Sequence, residues 1–259
     1  MDILTHAISG LALGTVIAGI SNKKTAESLK IIGLSGFGAV LPDIDAISMW
    51  SRFDSTFGKL FHISHSGRDI YSLKFWYSHH VFFHSIAAAL LLTFGLGLCF
   101  YMFRRKQGLS LVVKNNLPAL IGFFIGFLIH LLGDMPTPSG SWGGVRLFFP
   151  LKMYVGGTGN IWWWNNYDIF IIALVVFLIN SFILMLWRPL KLKTGKPFIA
   201  IFVVGITLMM IQIKTRKFNF NHHTYQQCEL QSKEIQHIIL GDKWYKRMTY
   251  FDDRIKVPF

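Results

Sequence analysis

The sequence predicts an all-α fold, an integral membrane bundle of about five to six helices. Of its 259 residues, 52% are hydrophobic and 15% are charged. The mean hydropathy is +0.43, which is too apolar for an ordinary soluble domain. Several apolar runs approach the length of about 20 residues that a helix needs to cross a bilayer. Lysine and arginine concentrate in the short segments between these runs, as is typical of membrane proteins.

The formal net charge of +13 does not by itself indicate a nucleic-acid partner. In a membrane protein, basic loops fix the orientation and contact anionic lipid headgroups. The sequence has no basic stripe interleaved with aromatic residues, which is the pattern that would favour nucleic-acid binding. We therefore expect membrane lipid as a partner and no nucleic acid.

Six apolar segments account for the predicted helices. In order they cover residues 3–20, 31–42, about 80–103, 117–134, 169–187 and 197–213. The second is short for a full span and rich in glycine, so it either extends back into residues 25–30 or forms a broken or partly buried helix. Residues 1–213 are therefore predicted to form one transmembrane domain. The extramembrane tail, residues 214–259, mixes β-branched, aromatic and charged residues around Gly241-Asp242, a pattern typical of a small β-hairpin.

The charge of the loops predicts the orientation. The short basic loops 21–30, 104–116 and 188–196 should face the cytoplasm. Six crossings then place both termini outside, together with the connections 43–78 and 135–168. The sequence thus predicts a multi-pass protein of the cytoplasmic (inner) membrane. A re-entrant second or sixth segment would break this alternation.

Histidine and aspartate residues recur at the predicted outer ends of the first four segments. These residues are His6, Asp43, Asp45, His79, His80, His84, His130 and Asp134. Ionisable groups inside a membrane are costly, and they usually mark a functional site. Four helices therefore bring such groups to one depth on one side of the membrane.

Spacing brings several of these groups onto shared helix faces. Three pairs are four positions apart: Asp2 with His6, His80 with His84, and His130 with Asp134. Residues at that separation are neighbours on a helix. His79 joins the same centre if it lies in a turn before the third helix, whereas a continuous helix favours His80.

This set of side chains suits metal-assisted hydrolysis. Imidazole and carboxylate groups bind Zn²⁺, Mn²⁺ or Fe²⁺. There are more ligands than one tetrahedral zinc site needs, which favours two ions or one ion with catalytic bases. Two ions about 3.5–4 Å apart can clamp a phosphoryl group and supply hydroxide. We therefore expect one to two divalent ions, with Zn²⁺ the first choice and Mn²⁺ or Fe²⁺ as alternatives.

Other polar and aromatic residues have less specific interpretations. Arg146 is a candidate for binding a substrate phosphate, because a guanidinium makes two parallel hydrogen bonds to phosphate; contact with a lipid headgroup is the alternative. Five histidines are expected to be solvated: His62, His65, His222, His223 and His237. Four tryptophans are expected to form an interfacial belt, with substrate stacking as the alternative: Trp142, Trp162, Trp163 and Trp164.

Five short motifs together resemble those of a known family. They are Asp2-Ile3-Leu4-Thr5-His6, Leu41-Pro42-Asp43-Ile44-Asp45, His79 through Ser85, His130 through Asp134 with Thr137 and Gly140, and Gly144-Val145 with Phe149-Pro150. This set resembles the motifs of the YdjM-like family, whose members are assigned by prediction as membrane-bound, metal-dependent hydrolases. The resemblance covers residues 1–150 in motifs and the whole chain in hydropathy. The family usually has His-Arg where this chain has His79-His80, so His79 matches the family histidine and His80 is a departure.

The resemblance and the residue pattern together imply a metal-dependent hydrolase with its site on the outer face of the membrane. The expected metal ligands are His6, Asp43, His79, His84, His130 and Asp134. Asp45, as a ligand or general base, and His80 are the expected catalytic residues. A more distant likeness to zinc-dependent phospholipase C and nuclease folds implies a phosphoester bond in a lipid or lipid-linked substrate.

Two other classes of function remain open from the sequence. An ion-coupled transporter or carrier also uses histidine and aspartate, but its site lies near the bilayer midplane. A structural or assembly protein with a stabilising metal would bind the ion without turnover. The depth of the cluster in the membrane separates the first of these from a hydrolase.

Overall fold

The computed structural model describes residues 1–139, 143–187 and 195–254. Within these ranges the chain folds into α1 (Ile3–Ser21), α2 (Thr25–Val40), α3 (Gly67–Ser72), α4 (Ile86–Arg104), α5 (Leu109–Asp134), α6 (Tyr167–Trp187), α7 (Lys196–Thr215) and α8 (Tyr225–Asp252). A 3-10 helix, Leu41–Met49, follows α2 directly. The described residues contain no β-strand, so the predicted all-α fold is confirmed. The expectations for Gly140, Trp142 and the basic residues 188–194 lie outside the described residues.

In the described part of the chain, six helices are long and apolar enough to cross a membrane: α1, α2 with the 3-10 helix after it, α4, α5, α6 and α7. The second segment starts at Thr25, as the alternative of an extension back into residues 25–30 predicted, and reaches Met49, a length of 25 residues. It is therefore long enough for a full crossing. The sixth, α7, has 20 residues and also has the length to cross.

The third crossing helix begins at Ile86 instead of about residue 80. Ser85 is its N-cap, and the hydroxyl of Ser85 accepts a hydrogen bond from the backbone N–H of Ala88 at 3.1 Å. Such a cap satisfies an N–H group that has no partner inside the helix. His79 through His84 consequently lie in the turns before α4, and the alternative of a continuous helix through the cluster is wrong.

Small residues allow α2 and α5 to pack backbone against backbone. A Cβ atom added to Gly126 would lie 2.1 Å from the carbonyl oxygen of Ser35, and one added to Gly38 would lie 2.2 Å from that of Phe123. Close packing of this kind is a common way for membrane helices to associate. It fixes the C-terminal end of α2 beside that of α5, where the polar cluster lies.

The tail forms the helix α8, so the predicted β-hairpin is wrong. Thr224 and Gln227 form a capping box, in which each side chain bonds the backbone N–H of the other residue. Gly241, where a turn was predicted, has the non-helical angles φ 68° and ψ 167°, so two helical halves of α8 meet there at a kink. Glycine tolerates this left-handed backbone because it lacks a Cβ atom. The division of the chain into domains at residue 213 stays a prediction.

Buried polar contacts hold both α8 and the C-terminal end of α7, where Arg216 lies, against the start of α6. Arg216 donates to both carboxylate oxygens of Asp168, at 2.7 and 2.9 Å, and Gln236 donates to the same carboxylate at 3.0 Å. Further along α8, Asp252 accepts a hydrogen bond of 2.7 Å from the hydroxyl of Tyr167. The two halves of α8 are therefore both attached to the end of the bundle at which α6 begins.

Candidate metal centre

The structure brings together all eight histidine and aspartate residues predicted from the segment ends. His6 lies in the first turn of α1, and His130 and Asp134 lie in the last turns of α5. Asp43 and Asp45 lie on the 3-10 helix after α2. The remaining three lie in the turns before α4: His79, His80 and His84. Neighbouring members are joined by contacts of 2.9–3.8 Å.

Four of these residues form the tightest group, which we call the His/Asp tetrad: Asp43, His84, His130 and Asp134. Each offers one ligand atom, and the four atoms lie within 4.8 Å of one another. The Nε2 atoms of His84 and His130 are 3.2 Å apart, and His130 Nε2 lies 2.9 Å from Asp134 Oδ2. Two imidazoles and two carboxylates form a suitable donor set for a divalent transition-metal ion.

A second group shares His84 with the tetrad. His79, His80 and His84 also offer three ligand atoms within 4.8 Å of one another. His79 Nδ1 is bonded to Asp45 Oδ1 at 2.9 Å, and the other oxygen of Asp45 lies 3.8 Å from His84 Nδ1. Two adjacent donor groups that share a residue are compatible with either one ion or two.

Backbone carbonyl groups orient two of the imidazoles. His130 Nδ1 lies 2.7 Å from the carbonyl oxygen of Ala39, and His80 Nδ1 lies 2.7 Å from that of Gly144. A carbonyl oxygen only accepts hydrogen bonds, so Nδ1 carries the proton in both rings. Each Nε2 then presents a lone pair to the cluster, which is the usual outer support of a metal-binding histidine.

His84 has the opposite arrangement. Its Nδ1 faces the backbone N–H of His80 at 3.2 Å and accepts that hydrogen bond. In the neutral ring the proton therefore lies on Nε2, the atom nearest the tetrad carboxylates. A metal ion that binds at Nε2 would displace this proton, as metal binding to protonated ligands does.

Buried atoms without hydrogen-bond partners support the fit to a cation. Within the described residues these include Asp134 Oδ2, Asp45 Oδ2 and His6 Nδ1. Buried polar atoms are normally paired. Asp134 Oδ2 lies 2.9, 3.4 and 3.7 Å from imidazole nitrogens of His130, His84 and His80. None of these three contacts has the geometry of a hydrogen bond. A divalent ion among these atoms would satisfy the carboxylate and the facing lone pairs together.

The electrostatic environments of His80 and His84, two of the three cluster histidines in the turns before α4, are different. Burial and the neighbouring His79 and His84 lower the pKa of His80 well below its usual value, so this ring is neutral at physiological pH. Burial also opposes a charge on His84, but the neighbouring carboxylates of Asp134, Asp43 and Asp45 outweigh it and raise the pKa of His84. The pKa values of the two imidazoles are therefore shifted in opposite directions, although the residues are only four positions apart.

A cavity of about 600 Å³ lies over the cluster. Asp43, His79, His80 and Asp134 line its polar part. Its size is within the range of about 300–1,000 Å³ that is typical of small-molecule sites. The cluster is thus buried in the bundle yet borders a space that can accept a ligand.

Arg68 and Tyr71, which the sequence analysis did not select, also line this cavity. The ring of Tyr71 stacks on that of His79 with a centroid distance of 4.3 Å and an interplanar angle of 16°. Burial and the nearby carboxylates of Asp43 and Asp45 raise the pKa of Tyr71 well above its usual value, so its hydroxyl stays protonated. Arg68 and Tyr71 are three positions apart and share a helix face. This spacing within a polar loop is the feature of the sequence that could have identified them as site residues.

Arg146 is not one of the residues that line the cavity. Its guanidinium donates to the carbonyl oxygens of Leu151 at 2.6 Å and Pro150 at 2.9 Å. Arg68 is the only lysine or arginine among the described residues that line the cavity. The geometry therefore gives no support to the predicted role of Arg146 in binding substrate.

The five histidines that were expected to be solvated lie apart from the metal centre. None of the five histidines lies among the described residues that line the cavity or form the two donor groups: His62, His65, His222, His223 and His237.

Trp162 is 1% exposed and packs against Phe220 and Cys228, so it is not part of an interfacial belt. Trp163 and Trp164 line the cavity, and a stacking role for them stays a prediction.

Comparison with known proteins assigns the chain to a family. A family model described as YdjM inner membrane protein matches residues 1–218. The chain belongs to the YdjM inner membrane protein family. The match spans α1 to α7 and includes every member of the cluster, whereas α8 lies beyond it. Its assignment to an inner membrane protein family agrees with the six candidate membrane helices and indicates a multi-pass inner membrane protein.

The other comparisons add no relative. No curated protein matches the chain, and no solved structure matches it. The description of the YdjM family names its location and no reaction, so the chemistry of the centre must be argued from its residues.

Proposed function

We propose that the protein is a metal-dependent hydrolase of a phosphoester in a lipid or lipid-linked substrate, with its site at the outer face of the inner membrane. The observation that carries this proposal is the buried His/Asp tetrad beside a cavity at the ends of the membrane-crossing helices. The tetrad offers the donor set of a hydrolytic metal site, and its position gives access from the membrane surface.

In this proposal the tetrad residues Asp43, His84, His130 and Asp134 hold the first ion. Bound there, a divalent ion would supply a Lewis acid for a phosphoryl oxygen and lower the pKa of a coordinated water. His79 and His80 are the additional donors if a second ion binds, because they form the adjacent group with His84.

His6 has a different geometry from the other expected ligands. Its Nε2 lies 2.9 Å from Asp134 Oδ1, and it is not part of either donor group. Its contact with Asp134 supports a role in orienting that carboxylate, as outer partners of metal ligands do. Direct ligation by His6 stays a prediction from the sequence.

Asp45 is the proposed general base. One of its oxygens is bonded to His79, which fixes the carboxylate, and the other is buried without a hydrogen-bond partner. A carboxylate oxygen that is held in place and free to accept a proton is suited to activating a water beside the cluster. The neutral ring of His80 provides a second acceptor at Nε2.

The position of the cluster favours a hydrolase over a carrier. Carrier sites lie near the bilayer midplane, often where membrane helices are interrupted. Here His6 lies in the first turn of α1, and Asp134 is the last residue of α5. The cluster is thus at helix ends, at the depth where a lipid headgroup would be found.

Turnover of lipid phosphoesters by purified protein tests the proposal. Protein in detergent is assayed with Zn²⁺, Mn²⁺ or Fe²⁺ against phosphatidate and other phosphate-headed lipids. We expect hydrolysis that stops on chelation, is lost in His130→Ala and Asp43→Ala, and is unchanged in the matched control His237→Ala. Full activity after complete removal of metal, or equal loss in all three variants, would contradict the proposed mechanism.

A further inference from the structure

We propose that the cavity binds a single phosphate-headed lipid, with Arg68 contacting the phosphate and the aromatic wall of the cavity contacting the acyl chain. This inference rests on the proposed function, since it assigns residues of the same site to the phosphate and to the acyl chain of the substrate. The aromatic wall consists of Trp163, Trp164, Phe170 and Phe251.

The residues that line the cavity are of two chemical kinds. The metal-centre residues and Arg68 are charged or polar, whereas the aromatic wall is apolar. Ile3 of α1 and Phe170 of α6 also line it, and both lie in the first turn of a membrane-crossing helix. The apolar lining thus comes partly from two of the candidate membrane-crossing helices. A molecule with a polar head and an apolar chain matches this division, and membrane lipids have that form.

Arg68 is positioned by the packing of α3 on the 3-10 helix. The backbone N–H of Gly67 donates to Asp54 Oδ1 at 2.7 Å, and a Cβ atom added to Gly67 would lie 1.9 Å from the carbonyl oxygen of Ser48. One turn further on, Tyr71 stacks on His79. These contacts fix the helix that carries Arg68 directly beside the cluster.

The guanidinium of Arg68 is available for an anion. It forms no ion pair with any residue in the described ranges, in contrast to Arg216, which is bonded to Asp168. The side chain is exposed at the cavity and not buried against a carboxylate. Guanidinium groups bind phosphate with two parallel hydrogen bonds, which a lysine cannot reproduce.

The balance of charge favours a lipid over free phosphate. Among the described residues four carboxylates line the cavity, against two cations, the guanidinium of Arg68 and the N-terminal ammonium of Met1, which is already paired with Asp134: Asp2, Asp43, Asp134 and Asp252. A small anion would therefore be repelled unless a bound divalent ion offsets these charges. A lipid gains additional binding free energy from burial of its chain against the aromatic wall, and free phosphate does not.

Photocrosslinking tests the inference without requiring turnover. Full-length protein is placed in phosphatidylcholine nanodiscs that contain a phosphatidate with a diazirine in its acyl chain, with and without Zn²⁺. We expect crosslinks in the peptides that carry Trp163 to Phe170 and Met248 to Phe251. Arg68→Gln should reduce their yield about tenfold, because one bidentate charged contact is lost. The matched control Arg146→Gln should leave the yield unchanged, since its guanidinium is bonded to its own loop.

Two further arms separate the sources of the phosphate and the role of the charge. Crosslinking by a diazirine diacylglycerol, which lacks the phosphate, should not depend on Arg68. Unlabelled long-chain phosphatidate should compete, whereas the same concentration of glycerol phosphate or inorganic phosphate should not. Arg68→Lys should give an intermediate yield because it keeps the charge and loses the two-bond geometry.

The outcomes distinguish this inference from the proposed function. Crosslinking that is equal in wild type, Arg68→Gln and Arg146→Gln, or that is abolished by inorganic phosphate, would overturn the inference even if the protein hydrolyses phosphoesters. Crosslinking that depends on Arg68 in a protein without hydrolytic activity would support the lipid site and contradict the hydrolase.

Discussion

His6 Nε2 lies 2.9 Å from Asp134 Oδ1 and so joins the first turn of α1 to the last residue of α5, 128 positions later in the chain. The ring of His6 also stacks on that of His130, with centroids 3.7 Å apart. Both contacts are buried. One histidine thus touches a carboxylate and an imidazole of the His/Asp tetrad without belonging to it.

We expect His6→Ala to weaken metal binding without changing how many ions bind. Loss of an outer partner of a metal ligand typically lowers affinity about 10–100-fold, while the tetrad donors themselves remain. Metal titration with a competing chelator measures the affinity, and elemental analysis of saturated protein measures the stoichiometry. His84→Ala is the comparison, and there the stoichiometry should fall. A lower stoichiometry in His6→Ala would instead make His6 a direct ligand, as the sequence analysis predicted.

The second prediction separates the effect of the backbone conformation of His80 on stability from the effect of its imidazole on activity. His80 has φ 63°, a left-handed conformation that asparagine tolerates far better than alanine. His80→Ala should therefore be less stable than His80→Asn by about 1 kcal/mol. Both variants lose Nε2, so their hydrolytic activities should fall equally. Thermal unfolding and activity assays on the two variants check this.

Two results would count against this interpretation. Equal thermal stability of His80→Ala and His80→Asn would show that the left-handed backbone is not a constraint. Recovery of activity in His80→Asn would show that the imidazole is dispensable. His79→Ala belongs in the same series, since the match of His79 to the family histidine predicts a larger loss of activity for it than for either His80 variant.

Sequence reasoning located the cluster because the segment ends were set by local properties. Apolar length predicted the crossing helices, and the basic loops predicted their alternation, which placed His6, Asp43, His84 and Asp134 at one depth. None of these steps needed a tertiary contact. The same reasoning could not choose between His79 and His80, because that choice depends on the cap at Ser85 and on the unusual backbone angle of His80.

The features that sequence reasoning missed depend on contacts between residues that are far apart in the chain. The tail looked like a hairpin because its β-branched and aromatic residues surround Gly241, but Asp168 and Gln236 stabilise it as a helix across 68 positions. Arg68 and Tyr71 become cavity residues only because Gly67 packs against Ser48. Pattern and spacing carry no signal for such packing.

The third prediction concerns the close approach of α2 and α5. Gly38→Ala would place a Cβ atom 2.2 Å from the carbonyl oxygen of Phe123, whereas a Cβ atom on Gly33 of the same helix has no neighbour within 4 Å. Overpacking typically costs about 1–3 kcal/mol. Gly38→Ala should lower thermal stability by that amount and weaken metal binding, because the next residue, Ala39, accepts the hydrogen bond that orients His130. Gly33→Ala should be neutral or slightly stabilising.

Parallel measurements of unfolding temperature and metal affinity on the two glycine variants decide the point. A Gly38→Ala protein that matches Gly33→Ala in both would show that α2 and α5 are not in backbone contact. A loss of stability with unchanged metal affinity would show that the carbonyl of Ala39 does not control His130.

The fourth prediction concerns the attachment of α8. Arg216 and Asp168 are bonded at 2.7 Å with side chains 2% and 4% exposed. Removing one partner of a buried ion pair typically costs about 3–5 kcal/mol, since the other charge is left uncompensated. Arg216→Gln should therefore release α8, seen as faster tryptic cleavage at Lys243, Lys246 and Arg247.

Lys233→Gln is the matched control for the fourth prediction, because the side chains of Lys233 and Glu229 are 42% and 32% exposed and ion pairs at the surface contribute little. Its rate of cleavage within α8 should equal that of the wild type. The crossing helices should stay folded in both variants, as judged by helical circular dichroism. Equal protection of α8 in Arg216→Gln and Lys233→Gln would mean that other contacts are sufficient to hold the helix.

The last prediction concerns orientation, and it tests the fold and the direction of insertion separately. Asp54 lies in the connection between α2 and α4, on the side of the metal centre, and Lys106 lies between α4 and α5 on the opposite side. Lys243 of α8 belongs with Asp54, because α8 is bonded to the first residues of α6. All three side chains are exposed. In a protein with Cys99→Ser and Cys228→Ser, single cysteines at Asp54 and Lys243 should therefore react alike, and one at Lys106 should react oppositely.

Positive charge in short loops favours the cytoplasmic side. We accordingly expect an impermeant maleimide to label Asp54→Cys and Lys243→Cys in intact cells, and to label Lys106→Cys only after permeabilisation. The fully reversed pattern would leave the fold intact and place the metal centre in the cytoplasm, where its substrate would come from the inner leaflet. Different labelling of Asp54→Cys and Lys243→Cys would contradict the fold itself, because α8 could not then lie at the end of the bundle that holds the metal centre.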